Sequence, residues 1–257
     1  MIDVAVSGGK GRLGGAIASG VSAAADLRLS GIYSPGHAGE PWGELEITGD
    51  ADGLTAQVVV ECTAPDVVMD NLRDWHRRGL YAVVGTSGFS EDRLNELRSF
   101  WTADSPGCLV VPNFSIGAVL MMHFAEFAAP YFESAEIIER HETRKPDAPS
   151  GTALATAMRV GSRRNASEDP AGTEIVKGAR GGSVSGVRVH SLRMSGLLSD
   201  QEVAFSNAGE TFSLLHRSTS YASFENGALL AIRHVLKTRG VSVGLDAALG
   251  IGSARAS

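Results

Sequence analysis

The chain predicts an α/β fold: a doubly wound parallel sheet with an inserted α+β domain of mixed sheet. Three observations predict it. Apolar strand-like runs alternate with helical patterns through the first half of the chain, and a glycine-spaced loop joins the first strand to the first helix. After Asn113 longer runs of alternating character take over, and a helical pattern returns near the end.

Ile2–Val6 reads as the first strand, Gly14–Ala24 as a small-residue helix and Leu27–Ile32 as the next strand. Gln57–Cys62 is apolar apart from Glu61, the pattern of a strand buried on both faces. Val67–Arg78 places Val67, Val68, Leu72 and Trp75 on one helical face. Tyr81–Val84 is a strand, and Ser90 caps the following helix, whose Glu91 and Asp92 suit its positive end. Leu109–Val111 is a further strand. This order implies right-handed crossovers and a parallel sheet.

A long helix over about Ile116–Phe127 then leads to a strand at Ala135–Glu139. Ser150 starts another helix, through Ala153, Leu154 and Met158, and Ser162–Gly172 reads as a polar, mobile loop. Val187/Val189, Glu202–Ser206 and Thr211–Leu215 alternate as strands, with Gly209 at a turn, which predicts a second, mixed sheet. Asn226–Lys237 returns to helix, and Gly240–Leu249 reads as a short tail.

At 257 residues the chain is long enough for a sizeable core, and 43% hydrophobic with 20% charged residues is ordinary for a soluble globular protein. A net charge of -6 gives a nucleic-acid partner no general support. Two cysteines, Cys62 and Cys108, argue against a zinc site or disulfide framework, and no metal site is expected. They read as buried thiols in a reducing compartment. The N-terminus carries no secretion-signal pattern, and the most apolar segment, Ile116 to Pro130, is broken by His123 and Glu126. The expectation is a cytoplasmic protein with no membrane partner.

Strand Ile2–Val6 runs into Ser7-Gly8-Gly9-Lys10-Gly11-Arg12-Leu13-Gly14, in which Gly8, Gly11 and Gly14 have GxxGxxG spacing. Gly8 permits the tight turn, Gly11 lets the backbone approach a pyrophosphate, and Gly14 lets the helix pack closely on the sheet. The helix N-terminus offers amides and a positive dipole end to the phosphates. In this context the motif indicates a Rossmann-type dinucleotide domain. The second strand ends Ile32-Tyr33-Ser34-Pro35-Gly36-His37, with no carboxylate before Glu40. A 2′-phosphate meets no repulsion there, Ser34 can bond it, and His37, Lys10 or Arg12 can add charge. The balance favours NADPH over NADH, with dual use open.

The run Glu139-Arg140-His141-Glu142-Thr143-Arg144-Lys145-Pro146-Asp147-Ala148-Pro149-Ser150-Gly151-Thr152-Ala153 concentrates chemistry. Ser150 is a good N-cap after the stiff Pro149. The amides of Gly151 and Thr152 then mark a carboxylate site. Lys145 supplies a mobile positive charge and a proton, and His141 is a general acid or charge-stabilising donor. Arg144 is one candidate cation for the same anion. The parts converge on a site that grips a small carboxylate and protonates it.

His141 and Lys145, with Asp147 to Ala153, resemble the signature of the dihydrodipicolinate reductase (4-hydroxy-tetrahydrodipicolinate reductase) family of bacterial lysine and diaminopimelate synthesis. The resemblance spans nearly the whole chain. Gly8 to Gly14 is similar to the family's glycine loop, Thr63 to its strand-closing Thr near the nicotinamide, and Gly85-Thr86-Ser87-Gly88-Phe89 to its Gly-Thr-Thr-Gly-Phe loop. Pro112-Asn113-Phe114 through Leu120 resembles its interdomain segment. Val189 to Arg193 and Gly209-Glu210-Thr211 fit its second sheet. The resemblance implies a Rossmann-type domain at 1–114 and 222–257, and a substrate and oligomerisation domain at 115–221 that makes a homotetramer. It implies hydride delivery from NAD(P)H lying near Gly85, Thr86 and Pro112–Phe114. His141 would be the acid, Lys145 would hold or protonate the substrate, and Gly151 and Thr152 would hold its carboxylate; beside them Ser150 and Arg144 complete the substrate-binding candidates.

Three positions depart from the family pattern. Glu142 stands where a second His follows the catalytic one, Tyr221 where an Arg is common, and Gly15 where many members are basic. A carboxylate facing a dicarboxylate costs a few kcal/mol at contact, at an effective dielectric near ~20. Glu142 must therefore turn away, pair with Arg140 or Arg144, or take up a proton. The alternatives are a paralogue acting on another cyclic imine or a monocarboxylate, and a non-catalytic dinucleotide-binding regulator.

Overall fold

The computed structural model describes residues 1–164 and 173–251. The chain divides into two compact units: Met1–Ile116 with the segment from Tyr221 onward, and Gly117–Ser220.

The first unit opens with β1 (Ile2–Ser7), α1 (Arg12–Ala23) and β2 (Leu27–Tyr33). A small hairpin, β3 (Pro41–Trp42) and β4 (Leu45–Glu46), follows. Then come β5 (Val58–Glu61), α2 (Val68–Arg77), β6 (Tyr81–Val84), α3 (Glu91–Phe100) and β7 (Cys108–Val110). Six strands form one sheet in the order β13-β7-β6-β5-β1-β2, where β13 is Val241–Val243, and every pairing in it is parallel. The chain leaves β1 outward to β2, then crosses back to begin β5 on the other side. That reversal, between β1 and β5, is where doubly wound sheets take ligands at the carboxyl ends of their strands.

Apolar runs dictate the core. Val58, Val59, Val60, Ala82, Val83 and Val84 are buried, and Trp75, Leu72, Leu97 and Trp101 fill one side of the sheet. Ser90 caps α3 by accepting from the Arg93 amide. Glu61 does not interrupt its strand: it is fully buried and pairs across to Ser7 and Val84. The segment read as a tail contains β13, which extends the parallel sheet beside β7. Three residues between Gly240 and Gly244 are too few to show a period. From Tyr221 onward the unit regains α6 (Glu225–Val235), which buries Ala228, Ala231, Ile232 and Val235. A Cβ on Gly227 would lie 1.8 Å from the Phe114 carbonyl oxygen, so α6 seats on that backbone only because Gly227 has no side chain.

The second unit begins with α4 (Ile116–Ala128), whose first residue belongs to the first unit, and continues with β8 (Ser134–His141) and α5 (Gly151–Arg163). Then come β9 (Gly182–Val184), β10 (Val187–Arg193), β11 (Ser199–Asn207) and β12 (Glu210–Ser218). The sheet order is β12-β11-β8-β10-β9, with β8 and β10 parallel and the other pairs antiparallel. Ala135, Ile137, Val189, Val203 and Phe205 line one face and pack with Met121 and Ala125 of α4 and Ala153, Ala157 and Val160 of α5. β8 runs two residues beyond the apolar pattern because Arg140 and His141 still find partners: Asp200 and Ser199 in β11, Leu192 and Arg193 in β10. Of the loop expected at Ser162–Gly172, Ser162 and Arg163 end α5, and 165–172 lie outside the described residues.

Candidate functional site

At the carboxyl ends of β1, β5 and β6 the first unit gathers most of the residues expected to hold a dinucleotide. Gly8 has φ +80, and a Cβ there would lie 2.6 Å from the Cys62 carbonyl oxygen. A Cβ on Gly14 would come within 2.4 Å of the Gly8 carbonyl oxygen, so α1 packs close under the loop. Gly9 lies against Ile32, and Gly11 is the N-cap of α1. That helix opens with no side-chain cap and no acidic residue, and Leu13 stands half-buried in its first turn. Bare glycine backbone leading to an uncapped positive helix end fits a pyrophosphate.

Around this loop the charges are already paired. Lys10 Nζ lies 2.7 Å from Glu40 Oε2, and Lys10 holds the Glu40 carboxyl below its ordinary range. Ser34 Oγ is 3.0 Å from His37 Nδ1. The Arg12 guanidinium sits 5.3 Å from the centre of the Tyr221 ring, so the aromatic residue at the family's Arg position is a platform for a cation. A Cβ on Gly15 would meet the Gly9 carbonyl oxygen at 3.2 Å.

Deeper in the same place, Gly85 donates its amide to the Glu61 carbonyl at 2.8 Å, and a Cβ on Gly85 would strike the Phe114 ring at 2.5 Å. Thr86 is buried and donates its hydroxyl to the Thr63 carbonyl at 3.1 Å. Thr63 donates both its amide (3.1 Å) and its hydroxyl to Glu61 Oε1. Asn113 turns the chain by accepting from the Ser115 amide at 2.8 Å, beside the exposed Pro112. Burial pushes the Cys62 and Cys108 thiols well up, which suits packing rather than nucleophilic chemistry.

In the second unit the centre is Glu139. Its carboxylate is fully buried and faces Arg193 through two bonds of 2.9 Å. It also receives His141 Nδ1 at 2.5 Å and the Ser150 amide at 3.3 Å. Burial raises its pKa, but hydrogen bonds from His141, Arg193 and Ser191, with the charge of His141, outweigh that and bring the carboxyl from 4.5 to about 2. Near neutral pH Glu139 is therefore acceptor-only, so Nδ1 carries the proton between them. His141 Nε2 is left facing Ser199 Oγ at 3.1 Å.

The adjoining loop is organised by local pairs. Lys145 Nζ bonds both oxygens of Asp147, at 2.8 and 2.9 Å, and chiefly this hydrogen bond holds the Asp147 carboxyl below its ordinary range. Arg193 also donates to the Asp147 carbonyl at 2.5 Å. Glu142 pairs with Arg144 at 3.2 Å, and Arg140 is committed to Glu202 at 2.9 Å. Arg144 is largely exposed at 83% of its side chain, so that candidate cation serves Glu142 first. Ser150 caps α5 by accepting from the Ala153 amide at 3.2 Å. Gly151 is exposed and Thr152 half-buried at the helix start. The first turn is tied down by Thr156, which donates to the Thr152 carbonyl at 2.8 Å and accepts from Gln201 at 2.7 Å.

His141, Lys145, Ser150 and the start of α5 are thus joined through Glu139, Arg193 and Asp147. Sequence reasoning gave none of these three a role, nor Ser199 or Glu61. One signal was available: Glu139 and His141 are two apart on a strand and so share a face.

Comparison with known proteins identifies the family. Residues 2–114 match the family described as dihydrodipicolinate reductase, N-terminus, and residues 117–249 its C-terminus counterpart. The chain belongs to the dihydrodipicolinate reductase family. It is 48% identical over 252 residues to the 4-hydroxy-tetrahydrodipicolinate reductase of Nocardia farcinica, covering 95% of this chain and 97% of that one. The corresponding protein of Cutibacterium acnes is 46% identical over 258 residues, covering 98% and 100%. Among solved structures, a dipicolinate-bound dihydrodipicolinate reductase from Paenisporosarcina sp. TG-14 superposes with a TM-score of 0.84 at 32% identity, over 96% of this chain and 99% of that one. Like its relatives, the chain is an oxidoreductase of the NAD(P)H-dependent kind. Among the described residues no helix is long and apolar enough to cross a membrane.

A carboxyl depressed on folding stabilises the protein above its unfolded pKa, and that contribution is lost as pH falls through the folded value. For Glu139, moving from 4.5 to about 2, this is a loss of about 3 kcal/mol spread between about pH 5 and pH 2. Urea unfolding at a series of pH values should show a flatter acid limb in Glu139→Gln than in the parent protein. An unchanged limb would refute the assignment.

Proposed function

We propose that the protein reduces 4-hydroxy-tetrahydrodipicolinate to tetrahydrodipicolinate with NAD(P)H in lysine and diaminopimelate biosynthesis. The carrying observation is the pair of Arg193 with the buried Glu139, which ties together the His141 imidazole, the Ser150 amide at the start of α5 and the Asp147 carbonyl in the loop that carries Lys145. The names of the relatives agree with this reading, and so does the dipicolinate, a planar dicarboxylate, bound by the Paenisporosarcina protein.

Residues 1–114 and 222–257 take the cofactor, and 115–221 the substrate. The cofactor, when bound, supplies the hydride. Gly8, Gly9, Lys10, Gly11, Arg12, Leu13 and Gly14 hold its phosphates, and Thr63, Gly85, Thr86 and Pro112–Phe114 its nicotinamide end. In the substrate unit, Gly151 and Thr152 receive a carboxylate with amide and hydroxyl donors while Ser150 fixes the helix start. Lys145 holds the same group by releasing Asp147. His141 gives a proton from Nε2, and Glu139 on Nδ1 steadies the ring throughout. The 4-hydroxyl leaves as water, so one hydride and one proton balance the reduction.

Glu142 is paired with Arg144, which removes the main reason to prefer a different cyclic imine or a monocarboxylate. The same residues 115–221 supply the contacts of a homotetramer. The sheet face away from the α4–α5 core carries Ile138, Leu192 and the exposed Leu215. For the cofactor, Ser34, His37 and Lys10 favour NADPH, while Glu40 competes with a 2′-phosphate for Lys10 and keeps NADH usable.

Three outcomes follow from this reading. Supplied with enzymatically generated substrate, the protein oxidises both NADPH and NADH, read as loss of reduced-cofactor absorbance; no oxidation above background sinks the assignment. Lys145→Ala lowers turnover about a hundredfold or more while the Kd for reduced cofactor barely moves. Normal turnover with weakened cofactor binding is the contrary result. Glu40→Gln raises the ratio of kcat/KM for NADPH over NADH by about threefold, the scale of one exposed ion pair; an unchanged or reversed ratio removes Glu40 from cofactor choice.

A further inference from the structure

The geometry points to Glu61 as a positioning residue that fixes Thr63 as a hydrogen-bond acceptor for the carboxamide N–H of a nicotinamide. This rests on the cofactor reading above and deepens it. Glu61 lies at the end of β5, beside the reversal of the sheet, and its side chain is fully buried. No Lys, Arg or His among the described residues forms an ion pair with it. Every polar group that meets its carboxyl is a donor. Oε1 accepts the Thr63 amide at 3.1 Å, the Thr63 hydroxyl, and Asn71 Nδ2 at 3.4 Å, and Oε2 accepts the Trp75 indole N–H at 2.9 Å.

The consequence lies in the Thr63 hydroxyl. A hydroxyl has one proton and two lone pairs. Its proton is committed to Glu61, and one lone pair accepts from Asn71 Nδ2 at 3.3 Å. One acceptor site remains. A ligand group placed there must itself be a donor, and a carbonyl or phosphate oxygen is repelled. At the nicotinamide end of a dinucleotide the carboxamide N–H meets that requirement. Thr86 works in the same sense, because its hydroxyl proton is spent on the Thr63 carbonyl at 3.1 Å. Glu61 thereby selects which way round the carboxamide sits, and so how the ring lies over the ends of β5 and β6.

Replacing the carboxylate by an amide frees that choice. In Glu61→Gln the new N–H can donate to Thr63, whose own proton can then swing toward the ligand. The test compares three ligands without substrate: NADH, its reduced 3-acetylpyridine analogue, in which a methyl ketone replaces the carboxamide, and ADP-ribose, which lacks the nicotinamide. The parent protein should bind NADH about tenfold more tightly than the analogue, the scale of one buried acceptor left unmet. Glu61→Gln should bring the two within about twofold while ADP-ribose binds as before. Equal losses for NADH and ADP-ribose make Glu61 a residue of fold alone and overturn the inference, as does discrimination that survives in Glu61→Gln. If Glu61→Gln does not fold, Thr63→Val, which removes the acceptor and keeps the shape, must lose the same discrimination or the inference fails. A parent protein that binds none of the three ligands overturns the cofactor reading itself.

Discussion

A carboxylate taken out of water has to be met by donors from its surroundings, and in the mixed sheet Glu139 draws them from three different elements. His141 lies two residues along its own strand, Arg193 and Ser191 come from β10, and the Ser150 amide comes from the start of α5. The requirement fixes the parallel register of β8 on β10, the path of the loop from His141 to Ser150, and the point where α5 begins. Such an ion pair adds little net stability over an apolar pair of the same size, but removing one partner leaves a buried charge unmet. Its value lies in specificity. The imidazole, the helix start and the Asp147 carbonyl bound by Arg193 cannot move independently.

The first unit repeats this logic without a cation. Glu61 ends β5 and holds the hydroxyl two residues on, as Glu139 holds the imidazole two residues on in β8. In each case a strand delivers a buried carboxylate to its carboxyl end, and the side chain at the second position beyond is oriented by it. The supports differ with the task. A pair that must keep a proton on one ring nitrogen uses an Arg to hold the carboxylate charged. A pair that only orients a hydroxyl is satisfied by an indole, an amide and a backbone N–H.

The parts legible in the sequence are those whose cause is local. The glycine spacing of Gly8 and Gly14 states a close backbone approach, and carbonyl oxygens lie 2.6 and 2.4 Å from where their Cβ atoms would stand. Ser90 and Ser150 announce helix starts by side-chain chemistry, and each accepts the backbone amide three residues on. What stayed hidden depends on register between distant strands. Arg193 stands beside His141, 52 positions earlier, only because β10 pairs with β8 in parallel, and Ser199 does so only through the antiparallel pairing of β11. Glu61 read as a blemish in an apolar run because its indole partner, Trp75, is one helix away. β13 escaped notice because three residues carry no period.

The charge pattern around His141 also bears on how an anion is received. Lys145 is held by Asp147, Arg144 by Glu142, and Arg193 by Glu139, so each of these three cations already has a carboxylate. In the proposed reaction a substrate carboxylate must then enter by exchange. Of the three pairs, Arg193–Glu139 is buried and braces the site, and Arg144–Glu142 keeps the anomalous glutamate neutralised. Lys145–Asp147 is the one whose anion is more than half exposed, at 53% of its side chain, and whose cation sits on a flexible stem. Asp147 can return to water at little cost when a ligand carboxylate takes Lys145. In that proposal Asp147 yields Lys145 to the incoming carboxylate, and Glu142 is no obstacle to a dicarboxylate because its charge is answered by Arg144.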